Sequence, residues 1–308
     1  MKFDKLPGGL WPVMLTPFTD GNEVDEEALS RLTEFYIESG STGLFSNCQS
    51  SEMFQLTDQE RLKVIRTVLK AADGKVPVVA TGSFSHSMER SADFIKRVYD
   101  TGVAAVIVLS NQLAYSHESE DEVKRNTEQL LKLTADIPLG LYECPYPYKR
   151  LISPGLMRWF GETQRFFYHK DTSCEPSAIK QKIKAVENTP FAFYNADTPT
   201  ALMSLQNGAV GISPIGANLY PELYSTLINL YNSGASEEQL NWLSAQLTVM
   251  GTVVDLCYPY SAKLFLQQRG LKMTTVCRVN HDIMKPDGYL KLKALMQMYI
   301  ETKKQLNT

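Results

Sequence analysis

The stretch LTDQERLKVIRTVLKAADGKVPVVATG, residues 56–82, holds one complete structural unit of the chain. Thr57 and Glu60 have capping-box spacing, Leu62, Ile65 and Leu69 share one helical face, and Gly74 follows as a stop. Two residues later the apolar run VPVVATG begins, too short for a helix and rich in the β-branched residues of a buried strand. The same alternation recurs along the chain. Apolar runs start at Trp11, Thr42, Val76, Val103, Pro138, Arg165, Pro190 and Gly208, at intervals of 31, 34, 27, 35, 27, 25 and 18 residues. Each interval leaves room for a loop, a helix and a second loop, so neighbouring runs are expected to pair through βαβ crossovers.

The intervening segments carry helix signals of their own. EEALSRLTEFYIESG sets Leu29, Leu32 and Tyr36 on one stripe ahead of Gly40, and ISPGLMRWF offers Ser153 as cap with Pro154 at the first helical position. Eight strand and helix units in series favour an α/β fold of the (β/α)8 TIM barrel type over an open doubly wound sheet. Neither a GxGxxG nor a GxxxxGK[ST] motif follows any strand, which removes the main argument for a nucleotide-binding sheet. The 93 residues after Ile215 read as helical, and the expected division is a barrel over residues 1–225 with a C-terminal helical extension over 226–308 packed against it.

Composition narrows the partners. The chain has 308 residues, a net charge of −3, and its 31 basic and 34 acidic residues are interspersed, so no electrostatic footprint for nucleic acid or an anionic membrane is present. No window approaches the length of an apolar membrane span and the N-terminus lacks a signal-peptide pattern, so a cytoplasmic location is expected. Five cysteines without CxxC spacing point to reduced thiols, and Cys48, Cys144 and Cys174 are read as small buried hydrophobes. His86, His117 and His281 are scattered without ligand spacing, and no metal or cofactor is implied.

In a barrel of this kind chemistry sits at the C-terminal ends of the strands. Lys170, in RFFYHKDTSC (165–174), is the only lysine within the eight runs. Period-2 alternation directs Tyr168 and Lys170 to one side, and Phe167 and His169 to the other. Facing the lumen, Lys170 would be a desolvated amine with a lowered pKa, the condition for a Schiff-base nucleophile; facing outward, it would snorkel or pair with Asp171. Tyr142 ends the adjacent run and is placed to move protons at the same end of the lumen. Ser50 and Ser51, in FSNCQSSEMFQLT, offer hydroxyls and turn N–H groups suited to a carboxylate. Gln49 and Ser213 join Ser50 as candidate substrate-binding residues. Tyr146, Tyr148 and Tyr194 are expected on loops at the mouth.

These pieces resemble the dihydrodipicolinate synthase and N-acetylneuraminate lyase family nearly end to end. WPVMLTPFTDGNEVDEEAL is similar to the family's opening strand and first helix, YHKDTS to its lysine motif, YECP to its Tyr-x-x-Pro, and NGAVGISPIGAN, closing on Asn218, to its eighth strand. The resemblance implies a class I lyase or aldolase that acts on pyruvate or a related 2-oxo acid without a cofactor, with a dehydratase of keto-deoxy sugar acids open as well. It also implies a homo-oligomer, tetramer or dimer. Departures mark a divergent member. Gln49 stands where relatives place a proton-relaying hydroxyl; Asn111 and Gln112 occupy the position of a tyrosine that reaches into a neighbouring subunit, with Tyr115 as its possible replacement. Pro147 replaces the arginine that binds the second substrate, leaving Lys149 and Arg150 nearby. These changes argue against lysine biosynthesis, and keep a non-catalytic 2-oxo acid sensor as the alternative.

Overall fold

A computed structural model describes residues 5–279 and 284–306. The strands are β1 (Gly9–Leu10), β2 (Leu44–Ser46), β3 (Val78–Thr81), β4 (Ala105–Leu109), β5 (Leu139–Tyr142), β6 (Phe166–Asp171), β7 (Ala192–Asn195) and β8 (Gly211–Ile212), all parallel in the order β1-β8-β7-β6-β5-β4-β3-β2. The remaining gap closes beyond β1. Pro12 has no N–H to give, but its carbonyl accepts from Phe45 N, Met14 N donates to the Phe45 carbonyl, and Val13 bridges Phe45. The (β/α)8 barrel is therefore complete, with the first strand starting two residues earlier than the apolar run at Trp11. On the other side of β1, a Cβ on Gly211 would lie 2.2 Å from the Gly9 carbonyl, so only glycine allows that approach.

Local signals place the helices. Thr57 and Glu60 form the expected reciprocal box at the start of α2 (Asp58–Ala72), following α1 (Glu26–Glu38). α3 (Met88–Tyr99), α4 (Ser110–Leu113) and α5 (Glu120–Leu133) precede α6 (Pro154–Glu162), which Ser153 caps with Pro154 in its first turn. α7 (Pro176–Val186), α8 (Ala201–Gln206) and α9 (Pro221–Asn232) complete the ring, and residue 225 lies inside α9. The extension comprises α10 (Glu237–Val254), α11 (Tyr260–Gln268) and α12 (Pro286–Leu306). No helix among the described residues is long and apolar enough to cross a membrane.

A buried ion pair helps fasten the extension to the mouth of the barrel. The Glu52 carboxylate, after β2, accepts from Lys263 Nζ on α11 at 2.8 Å and from Val279 N at 2.8 Å. Lys263 Nζ also donates to the Val276 carbonyl at 2.6 Å, so both buried ions have partners.

Two apolar layers follow from the closure. Between barrel and helices runs the larger core; inside the barrel an aromatic plug fills the lumen below the strand ends. Tyr168 stacks on Tyr194 at 4.5 Å, and Trp11 lies 5.2 Å from each. Tyr194 is thus a buried lumen residue, with its hydroxyl donating to Pro7 O, and not part of a rim loop. A second departure lies in β6. The register against β5 shifts between Leu139/Gly140 so that Phe166 and Tyr168 face successive partners, and Phe167 packs against the lumen layer, not the helices. This bulge restores the expected parity from Tyr168 onward.

Candidate active site

Beyond the bulge, β6 presents Lys170 to the lumen and His169 and Asp171 to the helices. Lys170 is 3% exposed, registers directly with Tyr142 on β5, and holds its Nζ 4.7 Å from the Tyr142 ring centre. Above them opens a cavity of about 630 Å³, also lined by Gln49, Ser50, Asp197 and Tyr258. The aromatic plug closes it from below.

Burial dominates the electrostatics. Desolvation brings the Lys170 ammonium down to about 8, only partly opposed by Cys48, Cys144 and Asp171. The two buried thiols do not act as counter-ions at neutral pH: burial raises Cys48 and pushes Cys144 up to about 11. Desolvation likewise holds the Tyr142 phenol well above its ordinary value. Pairing of Lys170 with Asp171 does not occur, because Asp171 points through the wall to Lys182 on α7.

There a second buried lysine has the opposite surroundings. Lys182 Nζ donates at 2.6 Å to both Glu143 Oε1 and Asp171 Oδ2. Burial disfavours this ammonium, but Glu143 and Asp171 outweigh that and raise its pKa. Asp171 is correspondingly held far below the carboxylate range: burial opposes ionisation, and His169 and Lys182 overcome it. Glu143, His169 and Asp171 bring potential ligand atoms within 4.8 Å of one another, with Lys182 already supplying the cation between the carboxylates. Glu143 also accepts from Ile152 N at 2.8 Å and Thr172 N at 3.0 Å, tying the loops after β5 and β6 together. Sequence reading missed Glu143 and Lys182; an acid in a strand-end loop and a lysine on the apolar face of α7 were the available signals.

The remaining candidates divide. Ser50 lines the cavity beside Gln49, whose Oε1 lies 3.8 Å from Cys144 Sγ. Ser51 turns away, donating to Met14 O at 2.6 Å. Ser213 lies outside the cavity lining: its hydroxyl donates to Trp11 O at 2.7 Å and accepts from Tyr168 at 3.1 Å. Asn111 organises the loop after β5 by donating to the carbonyls of Cys144, Tyr146 and Tyr148. Tyr148 returns its hydroxyl proton to Asn111 O and Ala114 O, while Tyr146 is exposed against Phe54. Arg150 is engaged with the carbonyls of Tyr115, Glu118 and Ser119, and Lys149 with that of Thr172; neither lines the cavity. Tyr115 is exposed between His86 and His117. Cys174, expected to be buried, is exposed at the cavity edge, in a left-handed backbone conformation, φ 56°, beyond the end of β6. His281 lies outside the described residues.

Tyr258, between α10 and α11, was not anticipated. It reaches the cavity from the extension, where its hydroxyl accepts from Asn218 Nδ2 at 2.6 Å. Nothing in the local pattern CYPYS fixes that reach.

Known proteins share this architecture. A 4-hydroxy-tetrahydrodipicolinate synthase of Jannaschia sp. is 28% identical over 232 residues, covering 75% of this chain and 78% of that protein. One from Halalkalibacterium halodurans is 25% identical over 266 residues, covering 86% and 88%. A dihydrodipicolinate synthase structure from Bacillus anthracis superposes with a TM-score of 0.85 at 22% identity, over 94% of this chain and 97% of that one. YagE of E. coli K12, a prophage protein of the dihydrodipicolinic acid synthase family solved with pyruvate, gives 0.86 at 20% identity, over 95% and 98%. With its family profile matched across residues 6–299, the chain belongs to the dihydrodipicolinate synthetase family.

Proposed function

We propose that this protein is a lysine Schiff-base lyase or aldolase acting on pyruvate or a related 2-oxo acid. The observation that carries the reading is Lys170: a buried amine without a carboxylate within ion-pair distance among the described residues, its pKa brought down to about 8, facing a cavity beside a tyrosine. Its free amine attacks the ketone carbon, and the carbinolamine then loses the former ketone oxygen as water. The resulting protonated imine takes up the electron pair of the bond cleaved at the neighbouring carbon, or supplies the enamine for condensation. Tyr142 moves protons in these steps, and Ser50 with the turn beside it holds the carboxylate. The pyruvate bound by YagE and the synthase activity named for the curated relatives support this class.

The outer wall narrows the second partner. Asp197, Asp255, Thr198, Thr248 and Thr252 line it, and Lys170 is the only cation among the described residues lining the cavity. Such a wall suits a neutral, hydroxyl-bearing chain better than a second carboxylate, consistent with a keto-deoxy sugar acid cleaved or dehydrated at this site. The proposed assembly is a homo-oligomer, tetramer or dimer, which sedimentation velocity tests. Incubation with pyruvate and borohydride tests the chemistry: one reduced adduct is expected, on the peptide containing Lys170. Labelling confined to other lysines would overturn the assignment.

A further inference from the structure

Past the register shift at Leu139/Gly140, the rungs left between β5 and β6 join Gly140 to Tyr168, Leu141 to His169 and, last, Tyr142 to Lys170. The two residues of that last rung are held unequally. β6 runs on to Asp171, which pairs with Asn195 of β7, so Lys170 lies inside its strand. Tyr142 is the final residue of β5. Its rung to Leu109 is also the last toward β4, and Cys144 N turns back to the Tyr142 carbonyl at 2.9 Å. Glu143 ties this loose end to the longer strand. Its N–H donates to the Lys170 carbonyl at 3.3 Å, its carbonyl accepts from Thr172 Oγ1 at 2.7 Å, and its Oε2 accepts from Thr172 N at 3.0 Å. Oε1 accepts from Ile152 N at 2.8 Å and from Lys182 Nζ at 2.6 Å, which fixes the carboxylate in place.

This position needs a group that only accepts. Ile152 N, Thr172 N and Lys182 Nζ all donate, and the two oxygens of a carboxylate receive them; an amide has one oxygen, and its NH2 would face one of these donors with another. Pairing Lys182 does not require Glu143, because Asp171 already lies 2.6 Å from that ammonium. A second buried carboxylate is costly unless hydrogen bonds hold it, and those bonds are the ones that join the strand ends. We infer that Glu143 is a positioning residue for Tyr142: by hooking the end of β5 onto β6 it holds the phenol beside the Lys170 amine. Glu143 does not line the cavity, so it acts only through the backbone that it fixes. The roles of Tyr142 and Lys170 in this inference rest on the functional reading above.

Hydrogen–deuterium exchange at the pyruvate methyl group tests this. The protonated imine on Lys170 loses a C3 proton; the C–H electron pair forms the enamine double bond and the imine nitrogen takes up the displaced pair. A deuteron from D2O then returns to C3, and hydrolysis releases labelled pyruvate, read by proton NMR. Wild type, Glu143→Gln, Tyr142→Phe and the double variant are compared at saturating pyruvate, with a urea melt and the borohydride trapping rate of each. In Glu143→Gln, exchange is expected to fall roughly 10- to 100-fold, as for a catalytic group displaced by about 1 Å, while trapping at Lys170 changes by less than about twofold. The double variant should exchange no more slowly than Tyr142→Phe alone, because the group that Glu143 positions is already gone. Thr172→Val removes the hydroxyl bond to the Glu143 carbonyl without changing a charge, and should slow exchange by less than Glu143→Gln does, again only where Tyr142 is present. Should Glu143→Gln fail to fold, Thr172→Val decides on the same comparison. Unchanged exchange in the folded variants, equal losses of trapping and exchange, multiplicative losses in the double variant, or a wild-type adduct that exchanges no deuterium would each overturn the inference. A wild-type Lys170 that forms no adduct would instead overturn the Schiff-base reading on which it rests.

Discussion

Lys170 and Lys182 stand on opposite sides of the barrel wall, 3% and 2% exposed, and their pKa values move in opposite directions. On the lumen side the amine has aromatic and thiol neighbours, and desolvation prevails. On the helix side the ammonium lies between two carboxylates, and their attraction prevails over the same burial. Burial alone therefore does not tell a nucleophile from a structural ion; the charge of the partners decides. An amine that must shed its proton to react calls for an open cavity above it, whereas a permanently charged one calls for complete pairing.

Removing the two amines should break the molecule in different ways. Lys170→Ala is expected to abolish the pyruvate adduct and all turnover in a protein that still unfolds cooperatively, checked by intact mass and a urea melt. Tyr142→Phe should keep the adduct and lower turnover by roughly 10²- to 10⁴-fold, the range for a lost general acid or base. Unchanged kcat would remove Tyr142 from the mechanism.

Lys182→Met should act on stability instead. It leaves the Glu143 and Asp171 carboxylates uncompensated, at a cost of roughly 3–5 kcal/mol in urea unfolding. Adding Asp171→Asn to that variant should recover part of the loss, since one of the unpaired charges is gone. An unaltered melt for Lys182→Met would mean that the network carries no net stability.

The smallest expected effect has the opposite sign. The Lys170 pKa of about 8 lies below the ordinary lysine value of 10.5, so between those limits the unfolded chain binds more protons than the folded one. Stability from this group consequently rises as pH increases through that window, and the penalty is complete below it. Lys170→Met should therefore be more stable than wild type by about 3 kcal/mol at pH 7, with the difference vanishing above roughly pH 10.5. The rate of pyruvate trapping in the wild type should climb through pH 8 as the free amine appears. A midpoint near the ordinary lysine value would sink the electrostatic argument for Lys170.

Much of the architecture is local, and local physics is legible. Thr57 with Glu60 and Ser153 with Pro154 define helix starts within four residues of chain, and alternation at the end of β6 sends Lys170 and His169 to opposite faces. The same rule failed at Phe167, because a bulge is set by pairing with β5, not by β6 itself. Tyr194 and Ser213 were misplaced for a related reason: depth within a closed lumen depends on all eight strands together.

Who faces whom across long stretches of chain is set by the packed fold. Glu143 meets Lys182 39 residues later, Glu52 meets Lys263 after 211, and Tyr258 meets Asn218 after 40. Alternation and spacing alone put a lysine at a barrel strand end. Whether that lysine found a carboxylate or a cavity was settled by packing, since the free energy of a buried charge depends on partners that no local pattern encodes.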